Sequence, residues 1–275
     1  MGRPSWSVVR TATDDLDDDR PAAGDFMNLL RKCLLASLLF AFAALALADG
    51  QPADPDSVLH RDLALPYLIH LPQRGAAGAP LIVLLHGMGS NEQDLYSLRD
   101  DFPSRYGVVS ARAPYTLGEG SYQWFAGTDV GGRLDGKPDE LDASRARIER
   151  LIDQLVKRYG FDPQAVYLVG FSQGAIMSYE VALTDPGEVR GIGVMSGAIF
   201  DSLVPQIKPS FALSHLSVFI SHGEDDPVIP HAYAIEADQR LQQLGIHPSF
   251  HLYPDMRHEI NESALQDLVD WLAAQ

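Results

Sequence analysis

Cysteine is almost missing from this chain: Cys33 is the only one in 275 residues. It follows Arg31-Lys32 directly instead of closing an apolar segment, which argues against a lipid-modified cysteine. No thiol lies downstream of it, so disulfides, thiolate catalysis and cysteine metal sites are excluded there. Positive charge is also scarce, with 21 Lys+Arg against 37 Asp+Glu and a net charge of −16. Such a surface repels a phosphate backbone, which excludes nucleic acid as a partner and favours solubility. No apolar run reaches the roughly 20 residues that a membrane-spanning helix needs. Residues 56–275 contain no internal repeat and no low-complexity linker.

The amino-terminal residues divide in two. Residues 1–26 are polar, carry the acidic run Asp14-Asp15-Leu16-Asp17-Asp18-Asp19, and show neither helical nor strand periodicity. They are expected to be a disordered, non-native extension, with Met27 as the true start. From Met27, basic Arg31-Lys32 precedes the apolar stretch Cys33 to Ala48, which ends in Ala46-Leu47-Ala48. Basic, apolar, then A-x-A is the order of a secretory signal peptide, cleaved after Ala48. Residues 27–48 are therefore expected to direct the protein to the periplasm or the outside, leaving 49–275 as one domain. The alternative is an uncleaved anchor, which would be the only membrane contact.

In that domain, strand and helix patterns alternate. Leu65, Tyr67, Ile69 and Leu71 predict a half-buried strand, and Leu81 to Leu85 a strand covered on both faces. A polar helix is expected from Glu92, a short strand at Val108-Val109, and a glycine-rich loop over 114–136. Ile148, Leu151, Ile152, Leu155 and Val156 form one helical stripe. Strands near Tyr167–Gly170, Ile192–Val194, Val218–Ile220 and Ser249–Leu252 alternate with helices after Ser172, around 232–244 and from Ser263. This order predicts an α/β fold with a mostly parallel sheet and helices on both faces.

The strand at Tyr167 runs into Gly170-Phe171-Ser172-Gln173-Gly174 and a helix, the pattern of a nucleophile elbow. The glycines let strand and helix approach closely around Ser172. A serine hydroxyl needs a base, and the base needs a carboxylate to hold its tautomer. In an α/β-hydrolase these follow in the order serine, acid, histidine. Downstream, His222-Gly223-Glu224-Asp225-Asp226-Pro227 and Asp255-Met256-Arg257-His258 each follow a strand. Asp226 is the candidate acid, although spacing alone does not separate it from Glu224 and Asp225. His258 is the candidate base, with His222 its nearest competitor. The turn in Leu85-His86-Gly87-Met88-Gly89 can aim the Met88 N–H at an oxyanion, beside that of Gln173. His86 itself reads equally well as a satisfied buried imidazole. Trp124 and Phe125 are candidates to line an acyl or alcohol pocket, or else a hydrophobic plug under the 114–136 loop.

The motifs L-H-G-M-G at 85–89, G-F-S-Q-G-A at 170–175, H-G-E-D-D-P-V-I-P at 222–230 and M-R-H at 256–258 resemble the phospholipase/carboxylesterase family of α/β-hydrolases, which includes the acyl-protein thioesterases. The resemblance covers roughly 60–275. It implies an α/β-hydrolase fold and a cofactor-free, metal-free serine carboxylesterase. Ser172 becomes the nucleophile, Asp226 (just before Pro227) the acid, His258 the base, and the Met88 and Gln173 amides the oxyanion hole. The substrate is then a small-molecule or lipid ester, with thioesters and lysophospholipids in scope. Export sets the chain apart from thioesterases that serve lipidated cytosolic proteins. A peptidase or polyester depolymerase on the same fold, an acyltransferase, and a non-catalytic ligand-binding protein are the alternatives.

Overall fold

The computed structural model describes residues 57–275, so both predicted leader segments lie outside the described residues. Seven strands form the central sheet in the order β1-β3-β2-β8-β9-β10-β11. They are β1 (Tyr67–His70), β2 (Leu81–Leu85), β3 (Gly107–Ala111), β8 (Val166–Phe171), β9 (Gly191–Met195), β10 (Ser217–Gly223) and β11 (Ser249–Tyr253). Every pairing is parallel except that of β1 with β3. This is the mostly parallel α/β sheet that the alternating pattern predicted, in the α/β-hydrolase architecture that the resemblance implied.

Sequence alternation becomes two-sided packing at β2. Leu81, Val83 and Leu85 join the core cluster under α2 (Pro138–Tyr159) and α3 (Gln173–Thr184). Ile82 and Leu84 join the opposite cluster, with Leu268 and Leu272 of α5 (Glu262–Ala273). The strand is apolar throughout because neither face meets water. β1 departs from the predicted half-burial: Leu68 is as buried as Tyr67 and Ile69, while Leu71 is 45% exposed beyond its end. Both faces of this edge strand are covered, so alternation underestimated its burial.

The stripe of α2 faces the core as expected, with Ile148, Leu151, Ile152 and Leu155 all buried. Pro138 opens this helix, Asp139 and Glu140 follow in its first turn, and left-handed Gly160 (φ 75°) closes it. α3 is buried from Gln173 to Leu183, as a helix at the centre of one layer must be. The helix expected from Glu92 is a single turn, α1 (Gln93–Tyr96). α4 (Ala232–Gln243) buries Ala234, Ala237 and Leu241.

Residues 114–136, read from sequence as a loop, form two antiparallel ribbons. β4 (Tyr115–Gly118) pairs with β5 (Ser121–Gln123), and β6 (Gly127–Val130) with β7 (Arg133–Gly136). Gly131 and Gly132, at φ 65° and 84°, turn the second ribbon. That glycine pair between two short runs is a hairpin signal, which the glycine-rich reading passed over. Arg133 ties the ribbon to Asp201 and Glu236. Such partly exposed pairs contribute no more than about 1 kcal/mol each. Close packing positions the ribbon more firmly: a Cβ on Gly136 would lie 2.8 Å from both Leu141 and Phe125.

Candidate active site

β8 ends at Phe171, and Ser172 turns the chain into α3 at φ 54°, ψ −117°. A non-glycine residue held there costs on the order of 1–3 kcal/mol, which the buried helix and strand on either side must offset. The Ser172 N–H donates to Met195 O at 2.9 Å, and Ser172 O accepts the Ile176 N–H at 3.1 Å. The flanking glycines are needed for close approach. A Cβ on Gly170 would sit 2.3 Å from the Gly174 carbonyl, and one on Gly174 only 1.9 Å from Leu85 O. Any side chain at 174 would push α3 off β2.

The other two candidates reach Ser172 from the ends of β10 and β11. Gly223 makes this possible, because a Cβ there would lie 2.1 Å from Met256 O. The Glu224 N–H donates to Tyr253 O (3.0 Å) and the Asp225 N–H to Met256 O (3.1 Å), stitching the two loops together. Glu224 and Asp225 consequently face solvent, and Asp226 turns inward to 6% exposure. Asp226 Oδ1 accepts the Val228 and Ile229 N–H groups at 2.8 and 2.9 Å. Its Oδ2 lies 2.7 Å from His258 Nδ1, and His258 Nε2 lies 2.9 Å from Ser172 Oγ. A carboxylate only accepts, so the His258 proton sits on Nδ1 and the Nε2 lone pair meets the serine hydroxyl. Burial pushes the Asp226 carboxyl upward, but the hydrogen bonds from His222 and His258 outweigh it and hold the group well below the usual carboxylate range.

His222, the competing base, is fully buried and is held by Ile229 O and Asp226, whereas Ser172 Oγ pairs with His258. The His222 Nε2–H donates to Ile229 O at 2.7 Å and lies 3.2 Å from Asp226 Oδ2. It braces the acid.

His86 is the satisfied buried imidazole. Its Nε2 accepts the Ala113 N–H at 3.1 Å and its Nδ1–H donates to Gly87 O at 2.7 Å. Burial lowers its pKa, with the Gly87 bond acting against that, in keeping with a neutral ring. The turn after it is held by the Ser90 N–H on Gly87 O and the Gly89 N–H on Tyr122 O, leaving Met88 on the rim beside Ser172. Gln173 does more than the sequence suggested, which gave its side chain no special part. Its Oε1 accepts the Trp124 N–H at 2.8 Å and its Nε2 donates to Phe125 O at 2.7 Å.

Ser172, His258, Met88 and Gln173 open on a cavity of about 440 Å³. Phe125 lines it, together with Leu134, Ile176, Phe200, Val228 and Ile229. Trp124 does not. Its ring is wholly buried and its Nε1–H donates to His86 O at 2.8 Å, so it braces the turn before Met88 from behind. Leu134, Phe200, Val228 and Ile229 were missed in the sequence because ordinary apolar residues look like core. A second groove of about 350 Å³ meets the cavity at Asp94, Phe171 and His258. Among the described residues, no three His, Cys, Asp or Glu side chains cluster as a metal site requires.

Residues 72–275 match the phospholipase/carboxylesterase family. Lysophospholipase-like protein 1 of Mus musculus is 29% identical over 227 residues, spanning 76% of this chain and 94% of that protein. Esterase YpfH of Escherichia coli (strain K12) is 28% identical over 196 residues, spanning 70% and 81%. The crystal structure of esterase PE8 aligns at a TM-score of 0.63 and 29% identity, covering 77% of this chain and 98% of that one. A carboxylesterase from Mesorhizobium loti shares the fold at a TM-score of 0.69 and 22% identity, covering 80% and 100%. The chain thus belongs to the phospholipase/carboxylesterase family and is a serine hydrolase acting on carboxylic ester bonds.

Proposed function

We propose that the protein is an exported carboxylesterase working through Ser172, His258 and Asp226. The observation that carries this reading is the unbroken chain of hydrogen bonds from Asp226 Oδ2 through His258 to Ser172 Oγ, at 2.7 and 2.9 Å, on the edge of an apolar cavity. Ser172 Oγ attacks the ester carbonyl and passes its proton to His258 Nε2. Asp226 stabilises the imidazolium that forms. The Met88 and Gln173 N–H groups receive the oxyanion; Gln173 opens α3, where the first N–H groups have no partner within the helix. His258 then gives its proton to the leaving alcohol oxygen. In the second half, His258 takes a proton from water, whose oxygen attacks the acyl-enzyme; the bond to Ser172 Oγ then breaks, His258 returns the proton to that oxygen, and the acid leaves.

The apolar cavity suits an acyl chain, and relatives named lysophospholipase-like and acyl-protein thioesterase bring lysophospholipid esters and thioesters within the range to be tested. Purified wild type and Ser172→Ala are compared on short and long p-nitrophenyl esters. Wild type alone should release nitrophenol, and equal rates from both proteins would end this reading. Export rests on the sequence of residues 27–48, and amino-terminal sequencing of protein recovered outside the cytoplasm should begin at Asp49.

A further inference from the structure

The cavity beside Ser172 is walled mostly by carbon, and of the two carboxylates that line it Asp94 is exposed at the junction with the second groove while the other is buried. Asp135, on β7, lines the cavity and is only 7% exposed. Its Oδ1 accepts the Ser202 hydroxyl at 2.6 Å and the Gly136 N–H at 2.7 Å. Its Oδ2 accepts no hydrogen bond among the described residues and is not sealed from solvent, which leaves it free for a ligand in the cavity that Asp135 lines. The nearest arginine in sequence, Arg133, turns away to Asp201 and Glu236, and no lysine or arginine lines the cavity.

A carboxylate drawn this far out of water, with one oxygen unpaired, costs free energy that a leucine there would not. Ser202 and Gly136 also fix its orientation, so its acceptor is aimed before any ligand arrives. Few, well-placed polar groups in an otherwise apolar pocket select what a ligand must carry. The direction of the substrate follows from His258. It stands between the cavity and the second groove, lined by Leu95, Ile260 and Leu265, and it protonates the leaving oxygen. The alcohol thus departs over His258 toward that groove, and the acyl chain points into the cavity that contains Asp135.

We propose that Asp135 is a specificity-determining residue that selects esters whose acyl chain carries a hydrogen-bond donor, a hydroxyl or a primary ammonium, over plain alkyl esters of equal length. The inference rests on the ester-hydrolase reading of Ser172 and adds the substrate class.

The test uses p-nitrophenyl esters in a homologous series, each chain ending in methyl, hydroxyl, ammonium or carboxylate. At the chain length that reaches Asp135, wild-type kcat/KM for a donor-ended ester should exceed that of the methyl-ended one by about tenfold, as one charge-assisted hydrogen bond supplies. The carboxylate-ended ester should be slowest. Asp135→Leu should abolish the preference, and Asp135→Asn should keep the hydroxyl preference while losing that for ammonium. Ratios within one protein cancel any general loss of fold or turnover. If the leucine variant does not fold, the asparagine ratios and the wild-type rejection of carboxylate decide. A methyl-ended ester hydrolysed as well as both donor-ended ones, a donor preference that survives in Asp135→Leu, or an ammonium preference that survives in Asp135→Asn overturns the proposal. Wild type no better than Ser172→Ala on every ester would instead sink the underlying reading.

Discussion

Gln173 Oε1 accepts the main-chain N–H of Trp124 at 2.8 Å, so the residue after Ser172 grips the segment that walls the cavity. Its Nε2 holds Phe125 O as well, and the Trp124 indole holds His86 O. The two proposed oxyanion donors, at 88 and 173, are thereby tied to each other through one buried tryptophan.

Gln173→Ala leaves the Trp124 N–H and Phe125 O without partners in a buried place, at a cost of about 1–3 kcal/mol for each group. The variant should melt several degrees lower and lose kcat, although the proposed oxyanion donor, the Gln173 N–H, is still present. Thermal melts and steady-state kinetics on one short ester check this; an unchanged melting temperature would mean the clasp carries little.

His222 and Asp226 should separate by size of effect. Asp226→Asn removes the acceptor that holds the His258 tautomer and should lower kcat by on the order of 10⁴. His222→Phe keeps the buried ring but removes one of the hydrogen bonds on Asp226. Its loss should be nearer tenfold in kcat with KM little changed, because the imidazole acts through the carboxylate and never meets the substrate. Equal losses from the two substitutions would place His222 in the proton relay itself.

Glu180 predicts a pH dependence of stability opposite in sign to that of Asp226. Burial pushes its carboxyl up to about 7, only partly countered by Arg145, whose Nη1 lies 3.6 Å away. A raised carboxyl favours the folded state below the unfolded value of about 4.3 and loses that contribution as pH rises toward 7. Asp226, held low, contributes above the unfolded value and loses it only in strong acid. Glu180→Gln should therefore flatten the fall in stability between about pH 4.3 and 7, read as urea midpoints across that range. Parallel profiles for wild type and variant would rule Glu180 out as the source.

Gly174 and Gly131 should respond very differently to alanine. At Gly174 the added Cβ would lie 1.9 Å from Leu85 O, a backbone atom in the sheet that has nowhere to go. Gly174→Ala should fail to give folded protein. At Gly131, on the ribbon tip, nothing lies within 4 Å and only the positive φ of 65° resists. That variant should fold, with a destabilisation of about 1 kcal/mol. Soluble yield and circular dichroism separate the two.

Where reading the chain fell short, the reasons are local ambiguities. Residues 114–136 looked like loop because glycine and exposed polar residues dominate them, although Gly131-Gly132 marks a hairpin turn. Trp124 and Phe125 are adjacent and similar in character, yet one supports His86 from below and the other meets the cavity. Asp135 drew no notice, since a lone aspartate in a turn-rich stretch looks like a solvated one.

The elbow at Ser172 was legible because its demands fall within five consecutive residues, where glycine, serine and glycine answer steric requirements of one another and of the strand beneath. The alternating α/β order was legible for the same reason, since periodicity is a property of neighbours along the chain. Choosing among Glu224, Asp225 and Asp226, or between His222 and His258, was a different problem. Those side chains are chemically alike, and which of them turns inward depends on Gly223 packing against Met256, two positions brought together only by the folded sheet. The chain's order dictates which groups are present at each strand end; long-range packing alone selects which of them meet.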